Sequence, residues 1–149
     1  NMPIVKSLEA EYCTKVGADE LDMVMNIGAF RSGDYGTSRA DIGGVVDIAK
    51  KAERPIIVKV IIESGYLTDD EIVGASKLVR SSGADFVETG TGLGKGATHR
   101  EVRIIRDAVG RDFGIKAAGG IRTPAQVLEL IEAVATRIGT SSAPEIIRP

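Results

Sequence analysis

The sequence predicts an α/β fold in which helices cover a parallel β-sheet, and two observations support this prediction. Helical segments alternate strictly with short apolar segments rich in β-branched residues, which is the order of βα units. The apolar segments are nearly continuous rather than alternating, which is typical of parallel strands covered on both faces. The length of 149 residues suits one domain.

The helices are predicted from their periodicity and their start signals. Three of them begin with a hydroxyl residue followed three positions later by Glu or Gln, at 68–71, 98–101 and 123–126. This capping box marks a helix N-terminus. Two less sharply bounded helices are expected at about 4–16 and 38–52. Gly17, Gly83 and Gly110 are expected to end three helices at the C′ position.

The strands are predicted between these helices, at 21–25, 56–62, 86–87 with its flanks, 114–118 and 137–139. A weak repeat supports them, because Gly-Ala-Asp precedes the first and third strands at 17–19 and 83–85. Charged residues interrupt or end four strands at intervals of 37, 29 and 28 positions, a spacing that matches βα modules: Asp22, Lys59, Glu88 and Lys116.

Two architectures use such modules, the open doubly wound sheet and the closed (β/α)8 barrel, or TIM barrel. A dinucleotide-binding open sheet carries Gly-x-Gly-x-x-Gly at its first βα turn. The glycine-rich segment 90–94 lacks the third glycine at the required place and lies in the third strand-helix unit. We therefore interpret this segment as a tight loop and predict the barrel.

Composition and charge exclude several classes of partner. The net charge of -2 and the lack of basic runs with interleaved aromatic residues argue against nucleic acid. The most apolar stretch, 56–62, contains Lys59 and is too short to span a membrane, and residues 1–3 do not resemble a signal peptide. The single cysteine, Cys13, fits a reducing compartment, so the cytoplasm is the expected location.

The charged residues inside the predicted strands are candidate catalytic groups. An unpaired ammonium at Lys59 would cost several kcal/mol in apolar surroundings, so a partner is required. Asp22 poses the same problem with the opposite charge. One interpretation is a structural ion pair between neighbouring strands. The other is a proton-shuttling pair at the C-terminal mouth of a barrel, where such enzymes place their chemistry.

Lys116 repeats this arrangement in a later strand. A lysine that is desolvated and close to another cation has a lowered pKa and becomes a nucleophilic amine able to form a Schiff base. Two inward-facing lysines and an aspartate therefore suggest carbonyl chemistry through an imine. His99 lies in a capping box and is expected to be solvated. No residues have metal-ligand spacing, so neither a metal nor another cofactor is expected.

The loops after the last two strands suggest a phosphate site. Gly119 and Gly120 follow the fourth predicted strand, and Ser141 and Ser142 follow the fifth. Glycines let backbone amides approach an anion, hydroxyls add donors, and barrels usually bind phosphate after their final strands. Turn chemistry alone also explains either loop. Their occurrence in consecutive units favours phosphate binding.

Together these residues resemble the class I 2-deoxyribose-5-phosphate aldolases. The matching segments run along nearly the whole chain: 17–24 with 26–28, 58–63, 83–87, 116–123 and 137–142. The resemblance implies that residues 1–149 form a single, partial domain containing strands four to eight of a (β/α)8 barrel. It also implies reversible cleavage of 2-deoxyribose 5-phosphate, a phosphorylated sugar, to glyceraldehyde 3-phosphate and acetaldehyde.

The resemblance further implies a role for each matching residue. Asp22 and Lys116 match the proton-relay pair of the family, and Lys59 matches a further active-site lysine. Four residues match positions that hold the substrate phosphate, and Thr91 matches a loop residue lining the site. The four phosphate positions are Gly119, Gly120, Ser141 and Ser142.

The chain departs from the family at the Schiff-base lysine. That lysine belongs in a Val-Lys-Thr-Ser-Thr-Gly segment, which here reads Val-Glu-Thr-Gly-Thr-Gly at 87–92. Glu88 cannot form an imine, and its charge would favour the protonated form of a nearby lysine. Three hypotheses follow: an inactive or engineered homologue, an imine relocated to Lys116, and a changed reaction in which Glu88 is a general base.

The second departure is the length. A complete barrel needs roughly 200 residues or more, so the first three strands are missing from this sequence. Five strands alone would leave two open sheet edges, and we expect the chain to associate with further copies as a homo-oligomer. Two other functions stay open. One is a phosphosugar lyase or isomerase using Asp22, Lys59 and Glu88 as acid-base groups, and the other is a non-catalytic protein that binds a sugar phosphate or a protein partner.

Overall fold

Helices and strands alternate throughout residues 2–148, the part of the chain that the computed structural model describes. The helices are α1 (Pro3–Lys15), α2 (Ile27–Arg31), α3 (Tyr35–Lys51), α4 (Asp69–Ser81), α5 (His99–Val109), α6 (Pro124–Glu132) and α7 (Ala143–Ile147). The strands are β1 (Glu20–Val24), β2 (Ile57–Ile61), β3 (Phe86–Glu88), β4 (Gly114–Ala118) and β5 (Arg137–Gly139). A short 3-10 helix, Ser64–Tyr66, follows β2.

The strands form one parallel sheet in the order β1-β2-β3-β4-β5. On one face, apolar side chains pack against the helices and are fully or almost fully buried, among them Met23, Val58, Val60, Val87, Ile115 and Ala117. The opposite face carries the charged side chains. The strands therefore alternate between apolar and polar faces more than the nearly continuous apolarity of the sequence suggested.

The sheet is strongly curved, with its charged side on the concave face. Four spacings between neighbouring strands would put β1 and β5 about 19 Å apart in a flat sheet. Nevertheless, Arg137 of β5 donates hydrogen bonds to Glu20 of β1 at 3.0 and 3.2 Å. Side chains of this length meet only because the sheet curls toward itself. The fold is thus an α/β half-barrel of five parallel strands, which confirms the predicted α/β class.

The three predicted capping boxes are confirmed. In each, the side chain of Thr68, Thr98 or Thr123 accepts a hydrogen bond from the backbone amide three residues later, and the Glu or Gln side chain at that position accepts one from the backbone amide of the threonine. Gly17 and Gly83 lie one residue beyond the helix cap with positive φ, as predicted. Gly110 is itself the cap residue of α5, one position earlier than expected.

Several boundaries differ from the prediction. Helix α3 begins at Tyr35 rather than 38 because the Asp34 side chain caps it by accepting from the Thr37 amide. The sequence did not predict α2, α7 or the 3-10 helix, each of which has five residues or fewer. These elements are too short to show a clear helical period.

The sheet has two open edges, since β1 and β5 each pair with one neighbour in the described residues. Apolar side chains are exposed on the helices near these edges. They are Ile4, Leu8 and Tyr12 on α1, and Leu128 and Ile131 on α6. Within residues 2–148, no helix has the length and apolar character that crossing a membrane requires.

Candidate active site

Six side chains of alternating charge form a network across the concave face. Opposite charges are brought together partly by strand register, because Asp22 lies opposite Lys59 and Glu88 lies opposite Lys116. Each side chain contacts the next at between 2.7 and 3.2 Å. In order, the network is Arg137, Glu20, Lys59, Asp22, Lys116 and Glu88.

Lys59 is the buried centre of one half of this network. It is only 2% exposed, and its Nζ lies 2.7 Å from Glu20 and 3.1 Å from Asp22. Hydrogen bonds from Arg137 and Lys59 lower the pKa of Glu20 from 4.5 to about 2, so this carboxylate is ionised at neutral pH. Lys59 therefore has the partner that its burial requires, and Asp22 is not its only counter-charge.

Lys116 is the centre of the other half. Its Nζ lies 3.2 Å from Asp22 and 3.0 Å from Glu88. Burial alone would lower the pKa of Lys116, but the hydrogen bond and charge of Glu88, with a smaller effect of Asp22, raise it above its ordinary value. An amine with a raised pKa is protonated at neutral pH, and a protonated amine is not a nucleophile.

Glu88 is held at the bottom of the site and is only 4% exposed. Burial raises the pKa of Glu88, although the neighbouring Lys116 offsets part of this effect. Its Oε1 contacts Lys116, whereas its Oε2 is buried and has no hydrogen-bond partner among the described residues. The carboxyl group thus has one oxygen whose hydrogen-bonding capacity is unused among the described residues.

A cavity of about 410 Å³ opens above Glu88 and Lys116 at the C-terminal ends of the strands. The loops that follow β3, β4 and β5 form its walls. Gly119 and Gly120 have φ of 100° and 70°, and a Cβ on either would lie 3.2 Å from backbone atoms of the loop after β3. Glycine is therefore needed at both positions for the loops to pack this closely.

Six of the nine sequence-predicted site residues line this cavity: Glu88, Thr91, Lys116, Gly119, Gly120 and Ser141. Asp22 is outside the lining but reaches it through Lys116. Lys59 lies in the charge network beneath. Ser142, also outside the lining, donates its amide hydrogen to Thr140 Oγ1 at 2.9 Å.

Sequence reasoning missed other residues of the site. The cavity is also lined by Gly90, Gly92, Ala118, Ile121, Arg122, Gly139 and Thr140. Most adjoin residues that were predicted, so extending each loop by two positions would have found them. Glu20 had a usable signal too, because it precedes Asp22 by two positions on a strand and must share its face.

His99 lies outside the cavity and is solvent-exposed, as the sequence predicted. This histidine is exposed in the first turn of α5. Within residues 2–148, no three His, Cys, Asp or Glu side chains are grouped so that they would hold a metal ion.

Comparisons with known proteins find relatives that are aldolases by name. The sequence pattern of the DeoC/LacD family of aldolases matches residues 1–142. The deoxyribose-phosphate aldolase of Thermococcus kodakarensis is 54% identical over 144 residues, which are 96% of this chain and 63% of that protein. The chain thus spans less than two thirds of the length of this relative.

Solved structures agree with the sequence comparison. The structure of QR15, an aldolase, superimposes with a TM-score of 0.91 at 38% identity, and the aligned region covers 98% of this chain and 65% of the QR15 chain. The tetrameric deoxyribose phosphate aldolase from Aeropyrum pernix superimposes with a TM-score of 0.88 at 32% identity, and the aligned region covers 98% of this chain and 61% of the Aeropyrum chain. The chain belongs to the DeoC/LacD family of aldolases.

Proposed function

We propose that the protein binds a small phosphorylated sugar in the cavity above Glu88 and Lys116, and that 2-deoxyribose 5-phosphate is its ligand. The relatives that support this substrate are named deoxyribose-phosphate aldolases. In this proposal, residues 1–149 are a single, partial domain containing strands four to eight of a (β/α)8 barrel. The related reaction is reversible cleavage of the sugar phosphate to glyceraldehyde 3-phosphate and acetaldehyde.

The phosphate end of the sugar would lie against the loops after β4 and β5. Gly119 and Gly120 leave their backbone open to an anion, and Ser141 adds a hydroxyl on the facing loop. Arg122, on the same rim, supplies a cation. Ser142 supports the shape of this loop, because its backbone amide donates a hydrogen bond to Thr140 Oγ1.

The reacting end of the sugar would lie against Glu88, Lys116 and Asp22. The observation that carries the proposal is the Lys116 ammonium held between two carboxylates at 3.2 and 3.0 Å. Glu88 has no amine, and Lys116 is protonated, so neither forms an imine at neutral pH. We therefore propose a phosphosugar site of the aldolase type that lacks the Schiff-base step.

Calorimetric titration tests the ligand directly. We expect 2-deoxyribose 5-phosphate to bind, 2-deoxyribose without phosphate to bind far more weakly, and Ser141→Ala to weaken the phosphosugar about tenfold, because a hydrogen bond to a charged group is lost. Ser7→Ala, on helix α1, is the control and should leave the affinity unchanged. Equal binding of both sugars, or no binding of either, would refute the phosphosugar site.

A second candidate function is supported by the unpartnered Oε2 of Glu88. In an imine-free reaction, this oxygen takes a proton from the carbon next to the sugar carbonyl, and the C–H electron pair forms the C=C bond of an enol, because that carbon of a 2-deoxy sugar carries no hydroxyl. The Lys116 ammonium gives a proton to the carbonyl oxygen. Transfer of solvent deuterium to that carbon by the unmodified protein, and its loss in Glu88→Gln, would support this reaction. If no deuterium is exchanged, the reaction is refuted and only the binding function is supported.

Assembly and location are also proposals. The Aeropyrum pernix neighbour is tetrameric by its description, and this chain has two open sheet edges with exposed apolar side chains beside them. We propose that it forms a homo-oligomer. The cytoplasm stays the proposed location and rests on the single cysteine, Cys13.

A further inference from the structure

Glu63, which directly follows Ile62 after β2, is a buried carboxylate that takes no part in the charge network. It is 4% exposed, and its backbone has a φ of 53°, in the left-handed region. This conformation costs free energy for any residue other than glycine. A charged side chain kept in a strained and buried position calls for a specific partner.

That partner is Thr91. The Thr91 amide donates to Oε1 and Oε2 of Glu63 at 3.1 and 3.2 Å, and the Thr91 hydroxyl donates to Oε2 at 2.6 Å. A carboxylate accepts both donors at once because each of its oxygens has free lone pairs. Both donors of Thr91 therefore point to Glu63, so Thr91 does not offer them to a ligand in the cavity.

The contacts of Glu63 fix one side of the loop after β3. A Cβ on Gly90 would lie 2.7 Å from Glu63 Oε1, which shows how closely the carboxylate packs against this loop. The Ser64 amide donates to the Thr89 carbonyl at 2.7 Å and continues the link between β2 and β3.

The other side of the same loop rests on the turn after β4. The Ala97 amide donates to the Gly119 carbonyl at 2.9 Å, and a Cβ on Gly120 would lie 3.2 Å from the Gly96 Cα. The loop of residues 90–96 is thus held between Glu63 and the Gly119–Gly120 turn. Thr91 and Gly92 of this loop form a wall of the cavity.

We propose that Glu63 is a positioning residue that sets the loop of residues 90–96 against the Gly119–Gly120 turn and so fixes the width of the phosphosugar cavity. It acts through Thr91 and does not contact the ligand. The proposal rests on the proposed function for the identity of the ligand, whereas the arrangement of the loop is independent of it.

The test compares Glu63→Gln and Glu63→Gly with a matched control. Glutamine keeps the size of the side chain but replaces one acceptor by a donor. Glycine removes the carboxylate and suits the left-handed backbone, so its effect does not come from strain. The control is Glu101→Gln, since Glu101 accepts from the amide and hydroxyl of Thr98 at 3.0 and 2.8 Å, outside the cavity.

Two measurements are made on each variant: the affinity for 2-deoxyribose 5-phosphate by calorimetry and the hydrogen exchange of backbone amides. We expect both Glu63 variants to bind about tenfold more weakly, because a loop that is no longer held must be ordered when the ligand binds, with faster exchange confined to 90–97. Glu101→Gln should bind as the unmodified protein does.

Unchanged affinity in Glu63→Gln, or an equal loss in Glu101→Gln, would overturn the proposal. Faster exchange spread over the whole chain would also overturn it, because that result indicates a general loss of stability. If the unmodified protein binds no phosphosugar, the proposed function fails. The exchange of residues 90–97 then still decides whether Glu63 holds the loop.

Discussion

At the scale of single residues, the proposed absence of an imine depends on the side chain at position 88. A carboxylate here pairs with Lys116 through one oxygen, and its second oxygen is buried without a hydrogen-bond partner among the described residues. An ammonium at this position would instead stand beside Lys116, and two such cations lower the pKa of one another. In our proposal, this one position therefore decides between an amine suited to imine formation and a network in which each charge contacts an opposite charge.

Removing the charge of Glu88 should release Lys116. We expect the pKa of Lys116 to fall in Glu88→Gln, because the largest influence that raises it is lost while burial still favours the neutral amine. NMR titration of reductively ¹³C-methylated lysines measures this pKa. An unchanged or higher midpoint in the variant would show that Glu88 does not hold the proton.

Glu88 and Glu20 should also affect stability with opposite dependence on pH. The raised pKa of Glu88 means that the folded protein binds a proton more tightly than the unfolded chain does. Its contribution is therefore most favourable at low pH and is lost as the pH rises from 4.5 through the folded-state pKa. Urea denaturation of Glu88→Gln across this range should show a smaller decline than the unmodified protein; an identical decline would contradict the assignment.

At the scale of elements, long-range ion pairs and buried polar groups decide how the strands and helices are joined. Arg137 and Glu20 connect the two outer strands across the concave face. Arg106 of α5 joins the C-terminal end of this helix to the turn after α6, because it donates to the carbonyls of Gly110, Arg111, Phe113 and Val134. The Arg137–Glu20 pair and the Arg106–Val134 hydrogen bond both join residues of different βα units.

The Glu20 pair should stabilise the fold above its titration range. Its folded-state pKa of about 2 lies below the ordinary 4.5, so the folded protein binds fewer protons between these values. Stability from Glu20 is present above pH 4.5 and is lost as the pH falls toward 2. As the pH falls, the stability of Glu20→Gln should therefore decrease less steeply than that of the unmodified protein in an acid denaturation experiment. Glu132→Gln, at an exposed position, is the control and should follow the unmodified curve.

Replacing Arg106 should destabilise the folded protein. Arg106→Met leaves several carbonyls at the ends of α5 and α6 without a donor, and we expect the free energy of unfolding to fall by about 3 kcal/mol. Arg106→Lys keeps the charge but not the forked geometry of the guanidinium, and its free energy of unfolding should fall somewhat less. Urea unfolding measures both, with the exposed Arg111→Lys as control. A loss below about 1 kcal/mol in Arg106→Met would contradict this role.

At the scale of the whole molecule, the chain is an α/β half-barrel with a cavity at the strand ends and two open edges. Its α1 helix exposes Ile4, Leu8 and Tyr12 beside the edge of β1. Apolar surface of this kind favours association between copies. The half-barrel and the proposed homo-oligomer are thus linked through the same surface.

Self-association should be visible in solution. We expect sedimentation velocity at increasing concentration to show oligomers larger than the 15.7 kDa chain. Leu8→Lys places a charge on the exposed face of α1 and should shift the protein toward the monomer. Lys77→Ala, on α4, is the control. A monomer at every concentration, or no effect of Leu8→Lys, would contradict this assembly.

Much of this molecule was predictable from sequence because the signals are local. A capping box needs only four consecutive residues, and the order of helices and strands follows from short periodic patterns. The contacts that were missed join distant positions: 117 residues separate Glu20 from Arg137, and 28 separate Glu63 from Thr91. The left-handed backbone of Glu63 has no signal either, since glycine is the usual residue there.

Reductive trapping tests the central claim most directly, namely that Glu88 leaves the site without an imine. The protein is incubated with 2-deoxyribose 5-phosphate and borohydride, and its intact mass is measured. We predict no adduct on the unmodified protein and an adduct on Glu88→Lys, where the new amine stands beside Lys116. An adduct on the unmodified protein that disappears in Lys116→Met would contradict the account, as would a folded, phosphosugar-binding Glu88→Lys that forms none.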